Sequence, residues 1–204
     1  MIKNLIFDWS WTLSNDLDNI HAVTMNVFEK LGLSRLSLDE YKKEFTLPYM
    51  NFYRKFKKDA TREEVDGLFM GELRSIWNPS SFEGVLEILE FLESKNIRLS
   101  ILSSHPQEKL EQEIEDYWFA GFFQDIYGSV PDKIDALKNL MKTKDFKPEE
   151  TAFAGDMIHD IEAWKEAGII TIAATWWYQT KESLSDSNPD FMIDDIAELK
   201  KLFV

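Results

Sequence analysis

The sequence predicts an α/β fold: a parallel sheet with helices on both faces, carrying a helical segment inserted after its first strand. Three observations lead there. From Gly84 onward, short apolar runs of strand length alternate with stretches of helical periodicity. Strands separated by helices of this length are joined by crossovers, which makes the sheet parallel. One further apolar run, Leu5-Ile6-Phe7, stands apart near the start, and between Asp16 and Trp77 the periodic stretches are helical.

Leu5 to Phe7 reads as a buried strand because its apolar residues are continuous rather than alternating. Leu17 to Leu31 follows as a helix. Ile20, Val23, Val27 and Leu31 recur at helical spacing, Asn15 or Asp16 caps the start, and Gly32 stops it. Leu38 to Phe45 and Tyr49 to Lys58 are short helices split by Pro48. Thr61-Arg62-Glu63-Glu64 has the capping-box pattern and opens a helix to about Trp77. Asn78-Pro79-Ser80-Ser81 reads as a linker. Gly84 to Ser94 is then an amphipathic helix on Val85, Ile88, Leu89 and Leu92, and Ile97 to Leu102 a strand ending in Ser103-Ser104-His105-Pro106. A helix to about Trp118, a short strand near Ile126 and a helix from Asp132 to Met141 come next. Thr151 to Ala154 is a strand ending in Gly155-Asp156, and Ile158 to Ala167 a helix stopped by Gly168. Strands at Ile169 to Ala173 and Phe191 to Ile193, and a closing helix from Ile196 to Phe203, complete the pattern. The chain thus divides into an α/β core of residues 1–15 and 81–204 and a helical insertion of residues 16–80, read as a cap over the strand ends.

A chain of 204 residues, 44% hydrophobic, suits one domain with an insertion. Cysteine is absent from the sequence, which excludes disulfides and thiolate metal sites. The formal net charge of -14 argues against a nucleic-acid partner; it serves general solubility first, and it fits a protein holding a cation in an acidic site. The first apolar run breaks at Asp8, too early for a signal segment or a membrane span. A cytoplasmic protein with no membrane partner is expected.

In open parallel sheets, ligands bind just outside the carboxyl ends of the strands. Four such ends carry polar groups here: Asp8, Ser103 with Ser104, the region just before Lys133, and Asp156 with Asp160. The three carboxylates make an oxygen-only set, which suits Mg²⁺ rather than zinc. Ser103 and Lys133 can hold an anion against that metal, and a helix start at Lys133 already favours anions. Each residue alone has a plainer reading: Ser103 as a helix cap, Asp160 as a first-turn acid, Lys133 as a solvated side chain. Their order and context together point to a site. His105 and His159 adjoin these residues and titrate in a range useful for general acid–base work, although a loop hydrogen bond is the plainer role. The basic group Arg54, Lys55, Lys57, Lys58 and Arg62 reads as a solvated helix face before it reads as a steering patch. Trp176-Trp177-Tyr178 either packs the loop after its strand or walls the pocket.

On these residues the chain resembles the haloacid dehalogenase superfamily hydrolases, in the phosphoglycolate-phosphatase-like and beta-phosphoglucomutase-like branch with a small helical cap. The family's Asp-x-Asp-Gly-Thr motif falls on Asp8-Trp9-Ser10-Trp11-Thr12, its strand-ending Ser or Thr on Ser103, its lysine on Lys133, and its Gly-Asp-x-x-x-Asp on Gly155 to Asp160. Ala167-Gly168 and Asn188-Pro189-Asp190 also fit. The resemblance implies a Rossmann-like core, Mg²⁺ as cofactor and a small phosphorylated metabolite as substrate. It implies that Asp8 attacks phosphorus to form an aspartyl-phosphate, which water then hydrolyses. Mg²⁺ would be held by Asp8, Asp156 and the carbonyl of Ser10, with Asp160 binding it directly or supporting another ligand. Ser103, Ser104, Lys133 and the amides after Asp8 would stabilise the phosphoryl oxygens.

Two positions depart from the family pattern. The second aspartate, which protonates the leaving group and then activates water, is replaced by Ser10. Losing such acid–base help typically slows a reaction by about 100- to 10,000-fold. The following glycine is replaced by Trp11. The expectation is a slow or selective phosphomonoester hydrolase in which Ser10 still occupies the catalytic position. One alternative is a catalytically weak relative that binds a phosphorylated ligand or a protein. Another is a carbon–phosphorus or carbon–halogen hydrolase, where the family also lacks that aspartate.

Overall fold

The computed structural model describes residues 1–46, 48–75, 79–176 and 181–203, with the side chains of His159, Asp160, Glu162 and Ala163 outside the description. In chain order the elements are β1 (Asn4–Phe7), β2 (Ser14–Asn15), α1 (Leu17–Lys30), α2 (Leu38–Glu44), α3 (Tyr49–Phe56), α4 (Arg62–Leu73), β3 (Ser80–Ser81), α5 (Val85–Ser94) and β4 (Arg98–Leu102). They continue with α6 (Gln107–Asp116), β5 (Phe123–Tyr127), α7 (Lys133–Lys144), β6 (Thr151–Gly155), α8 (Ile158–Glu166), β7 (Ile170–Ala174), α9 (Lys181–Asp186) and β8 (Phe191–Ile193). The chain forms two compact units, one of Met1–Asn15 with Ser80–Val204 and one of Asp16–Pro79.

The first unit is built on a six-stranded sheet of order β5-β4-β1-β6-β7-β8, with every neighbouring pair parallel. Strand alternation explains how helices come to cover both faces. Leu5 and Phe7 of β1, Leu99 and Ile101 of β4 and Ala152 and Ala154 of β6 point into one apolar cluster with Val85, Leu89, Leu110 and Ile114 of α5 and α6. Ile6, Leu102 and Phe153 point into another, with Leu137 and Leu140 of α7 and Trp164 of α8. The second unit packs its helices on aromatic rings. Phe28 of α1 lies 5.2 to 5.8 Å, centroid to centroid, from Phe52, Tyr53 and Phe56 of α3. Within it Tyr49 donates to Asp66 at 2.5 Å, and burial together with that carboxylate pushes the phenol up to about 12.

Several expectations are corrected. Ser80-Ser81, read as part of a linker, forms β3 and pairs antiparallel with β2; two polar residues carry no periodic signal. The helix expected to reach Trp77 ends at Leu73, and Trp77 and Asn78 lie outside the described residues. Thr61 accepts from Glu64 N, but the reciprocal capping box is formed by Ser37 and Glu40, which carry the same pattern. The closing segment Ile196–Leu202 is a 3-10 helix rather than an α-helix. Its buried residues, Ile196 and Leu199, are three apart, the period that a 3-10 helix stacks on one edge. The short α9, anchored by Leu184, went unread.

The loops after β4 and β5 are stitched together. Ser103 N donates to Tyr127 O at 2.9 Å, Val130 N to Ser103 O at 3.1 Å, and Ser129 N to His105 O at 2.7 Å. Gln107 N donates to Ser129 Oγ at 3.0 Å, and Gly128 N donates back to Gln107 Oε1. A Cβ on Gly128 would stand 2.8 Å from Gln107 Cα and 2.9 Å from His105 O. Both are backbone atoms held by the bonds above, so neither can retreat alone. Gly128→Ala is therefore expected to destabilise the protein by about 1 to 3 kcal/mol, read from the urea midpoint at unchanged m-value. An unchanged midpoint would show that the two loops give way freely.

Candidate active site

The sheet order contains a switch of direction. From β1 the chain proceeds outward through β4 and β5, then returns to the other side of β1 for β6, β7 and β8. Connections leaving β1 and β6 diverge there, opening the crevice where open α/β sheets bind ligands. Asp8 follows β1 and Asp156 follows β6, one on each side of that point. Asp8 N donates to Ala154 O at 2.9 Å, which carries the β1–β6 pairing up to the carboxylate.

Asp8 is 5% exposed and Lys133, the first residue of α7, is 7% exposed. Lys133 Nζ donates to Asp8 Oδ2 at 2.6 Å, and Trp9 N donates to Oδ1 at 2.7 Å. Both oxygens are thus fixed in direction by the chain's own donors. Lys133 is placed by its helix cap: Asp132 accepts from Ile134 N and Asp135 N, which starts α7 one residue after the cap. Beyond Asp8 the chain turns tightly. Trp9 O accepts from Thr12 N, Leu13 N and Ser14 N at 3.2, 2.9 and 3.0 Å. The turn places Trp11 at φ 63°, the left-handed region where glycine is favoured.

Asp156 is buried, and its Oδ1 accepts from Thr12 Oγ1 at 3.4 Å. The turn after β1 and the end of β6 therefore meet directly. Ser103 is buried at the end of β4; its Oγ accepts from His105 N at 3.2 Å instead of capping α6, whose cap position is Pro106. Ser104 is half-buried beside it. Ser10 Oγ lies 3.4 Å from His105 Nδ1. Lys133 thus meets Asp8, Thr12 meets Asp156 and Ser10 meets His105, three contacts gathered by Asp8 and the turn that follows it. The side chains of Asp160 and His159, and the whole of Trp177 and Tyr178, lie outside the described residues. Trp176 packs edge-on against Phe82 at 6.3 Å.

Among the described residues no three His, Asp or Glu side chains are grouped to cage a metal by themselves. The donor set nevertheless fits Mg²⁺. That ion takes hard oxygen ligands and is usually held by one or two protein carboxylates, with water and substrate phosphate completing its shell. Asp8 and Asp156 would supply two carboxylates and the Ser10 carbonyl a third oxygen. The sequence reading missed two contacts at this edge, Thr12 on Asp156 and Glu113 on Trp9 Nε1 at 2.7 Å. The motif threonine was legible; a buried glutamate on an acidic helix was not.

Known proteins bear on this geometry. The chain is 27% identical over 210 residues to a phosphoglycolate phosphatase of Aquifex aeolicus, covering 98% of this chain and 96% of that one. It is 28% identical over 120 residues to a phosphoglycolate phosphatase of Synechococcus elongatus, covering 58% of this chain and only 57% of the relative. The chain spans about half the length of that relative and of the Vibrio phosphoglycolate phosphatases it also matches. In fold it superposes on a haloacid dehalogenase-like hydrolase structure from Streptococcus pneumoniae with a TM-score of 0.86, at 21% identity, covering 100% of this chain and 99% of that one. The family model for haloacid dehalogenase-like hydrolases matches residues 5–174, from the first strand through β7, and the chain belongs to that family.

Proposed function

We propose that the chain is a Mg²⁺-dependent phosphomonoester hydrolase that works through an aspartyl-phosphate on Asp8. The observation that carries this reading is the buried Asp8 carboxylate at the end of β1, held by Lys133 Nζ at 2.6 Å and Trp9 N at 2.7 Å. The phosphoglycolate phosphatases of Aquifex aeolicus and Synechococcus elongatus support it as relatives.

Asp8 presents an oxygen to phosphorus and forms the covalent intermediate. Lys133, already against that carboxylate, offsets the charge of an incoming phosphate and meets its equatorial oxygens as the bond forms. Ser103 and Ser104, at the end of the neighbouring strand, bind further phosphoryl oxygens. Asp8, Asp156, the Ser10 carbonyl and Asp160 would hold Mg²⁺, which screens carboxylate from phosphate and orients the attack when bound. The helical unit Asp16–Pro79 enters the chain directly after the turn carrying Asp8, and we assign it the cap's role of selecting a small phosphorylated metabolite. Ser10 in place of an aspartate favours one other reading, a ligand-binding relative with weak turnover.

Asp8→Asn separates these readings. The amide can satisfy only one of the two donors that now face the carboxylate, so a cost of about 1 to 3 kcal/mol in stability is expected. The variant should stay folded and lose hydrolysis of phosphoglycolate altogether. Near-normal turnover by purified Asp8→Asn protein would remove Asp8 from the chemistry.

The metal is tested without turnover. Mg²⁺ at ~100 times its Kd stabilises the folded state by about 2.7 kcal/mol. For a chain of this size that is a rise of roughly 5 to 10 °C in Tm. Asp156→Ala should abolish the rise. A melting curve of the unaltered protein that ignores millimolar Mg²⁺ would dismiss the metal site.

A further inference from the structure

The hydroxyl that replaces the family's second aspartate stands at the end of a buried polar chain. Ser10 Oγ is 3.4 Å from His105 Nδ1. On the far side of the ring, His105 Nε2 is 3.5 Å from Glu113 Oε1, an ion-pair distance with no hydrogen bond made between them. The other oxygen of that carboxylate, Oε2, accepts from Trp9 Nε1 at 2.7 Å. Three separate segments converge: the turn after β1 brings Trp9 and Ser10, the loop after β4 brings His105, and α6 brings Glu113.

The burial of Glu113 asks for a reason. Its helix exposes Glu108, Glu111, Glu115 and Asp116, yet Glu113 is 1% exposed, and it lies beside Ile114 on the face that packs into the core. An apolar residue would fill that volume without the several kcal/mol that burying a carboxylate costs. One indole N–H satisfies only part of a carboxylate's accepting capacity. The rest of Glu113 faces an imidazole that is itself 5% exposed, and that imidazole faces the Ser10 hydroxyl two residues from Asp8.

We propose that Ser10 and His105 together take the place of the missing acid–base aspartate, with Glu113 as the residue that positions the imidazole. The proposal rests on the phosphatase reading above. In the first half-reaction an Asp8 oxygen bonds to phosphorus and the bond from phosphorus to the leaving oxygen breaks. The leaving oxygen takes the Ser10 Oγ proton, and Ser10 is reprotonated from His105 Nδ1. In the second, a water oxygen bonds to phosphorus and the bond from phosphorus to Asp8 breaks. The water proton passes to Ser10 Oγ, whose own proton returns to His105 Nδ1. The imidazole ends each turnover with the proton it began with, and Glu113 faces Nε2 throughout. The arrangement follows the logic of a hydroxyl, an imidazole and an orienting carboxylate, with the hydroxyl carrying a proton instead of attacking.

The test compares phosphoglycolate, whose alkoxide needs a proton to leave, with p-nitrophenyl phosphate, whose leaving group departs without one. The proteins are the unaltered chain, Ser10→Ala, His105→Gln and Glu113→Gln, the last keeping an acceptor for Trp9 Nε1. Each variant should lose about 100-fold or more in kcat/KM on phosphoglycolate and under about 10-fold on the aryl ester. Each should also release a burst of nitrophenol, because the second half-reaction loses its base. Should His105→Gln fail to fold, Ser10→Ala removes one oxygen only and decides the question alone. Equal losses on both substrates, or no loss on either, would overturn the relay and leave the phosphatase reading standing. An unaltered protein inactive on both esters would overturn that reading and the relay with it.

Discussion

A carboxylate buried at the end of β1 is the constraint around which the α/β unit is arranged. Removing such a group from water costs several kcal/mol unless donors meet it. Asp8 is met by Trp9 N from its own chain and by Lys133 Nζ from a helix that follows a different strand. That second donor has far to come. β5 stands at the edge of the sheet with β4 between it and β1, so the loop leading to α7 must cross the end of β4 before Lys133 can reach Asp8. The crossing is secured by the bonds that tie residues 103–107 to residues 127–130. Those same bonds fix Ser103 and His105. One electrostatic requirement thus sets the position of the loops after β1, β4 and β5.

The turn after β1 is held from below by packing. Trp9 is fully buried, stacked on Tyr117 at 5.6 Å and 9° and edge-on to Phe119 at 6.4 Å. Such ring pairs contribute about 0.5 to 1.5 kcal/mol each beyond area burial. Tyr117 also shares a hydrogen bond with Ser14 Oγ at 2.9 Å. An aromatic cluster at the end of α6 therefore grips both ends of the turn, and polar contacts at its upper face are carried on rigid supports. Support of this kind holds a reacting group to a narrow range of positions.

The fold was legible because its strands announce themselves. Leu5-Ile6-Phe7 and Ala152-Phe153-Ala154 are continuous apolar runs ending in an acid or in Gly-Asp, and parallel central strands have that pattern. That Asp8, Ser103 and Asp156 follow strands and that Lys133 opens a helix was legible, because each lies at a fixed offset from an apolar run. Two other kinds of feature stayed hidden. Ser14-Asn15 and Ser80-Ser81 pair as short antiparallel strands, and four polar residues carry no periodic pattern that would record it. Glu113 sits in Gln107–Asp116, a helix so rich in acids that one inward-facing member leaves no trace in composition. His105 could be singled out by adjacency to Ser103, but its partner lies eight residues on and across a turn. Contacts between elements, rather than patterns within them, are what a single sequence conceals.

The two departures from the family motif differ in what they demand of the rest of the chain. Trp11 takes the left-handed backbone that glycine would take freely. That conformation costs an ordinary residue about 1 to 2 kcal/mol. Burying a large side chain returns about 1.5 to 3 kcal/mol, and Trp11 is only 5% exposed. The burial of Trp11 therefore offsets its backbone conformation, and the turn keeps its shape and with it the direction of Asp8. Ser10 has no such local remedy. A hydroxyl in place of a carboxylate folds without strain, but it neither accepts nor yields a proton near neutral pH by itself. In the proposed reaction packing energy cannot stand in for a proton-transfer group, whereas a titratable side chain within reach can. The imidazole of His105 lies within that reach, and the carboxylate of Glu113 lies behind it.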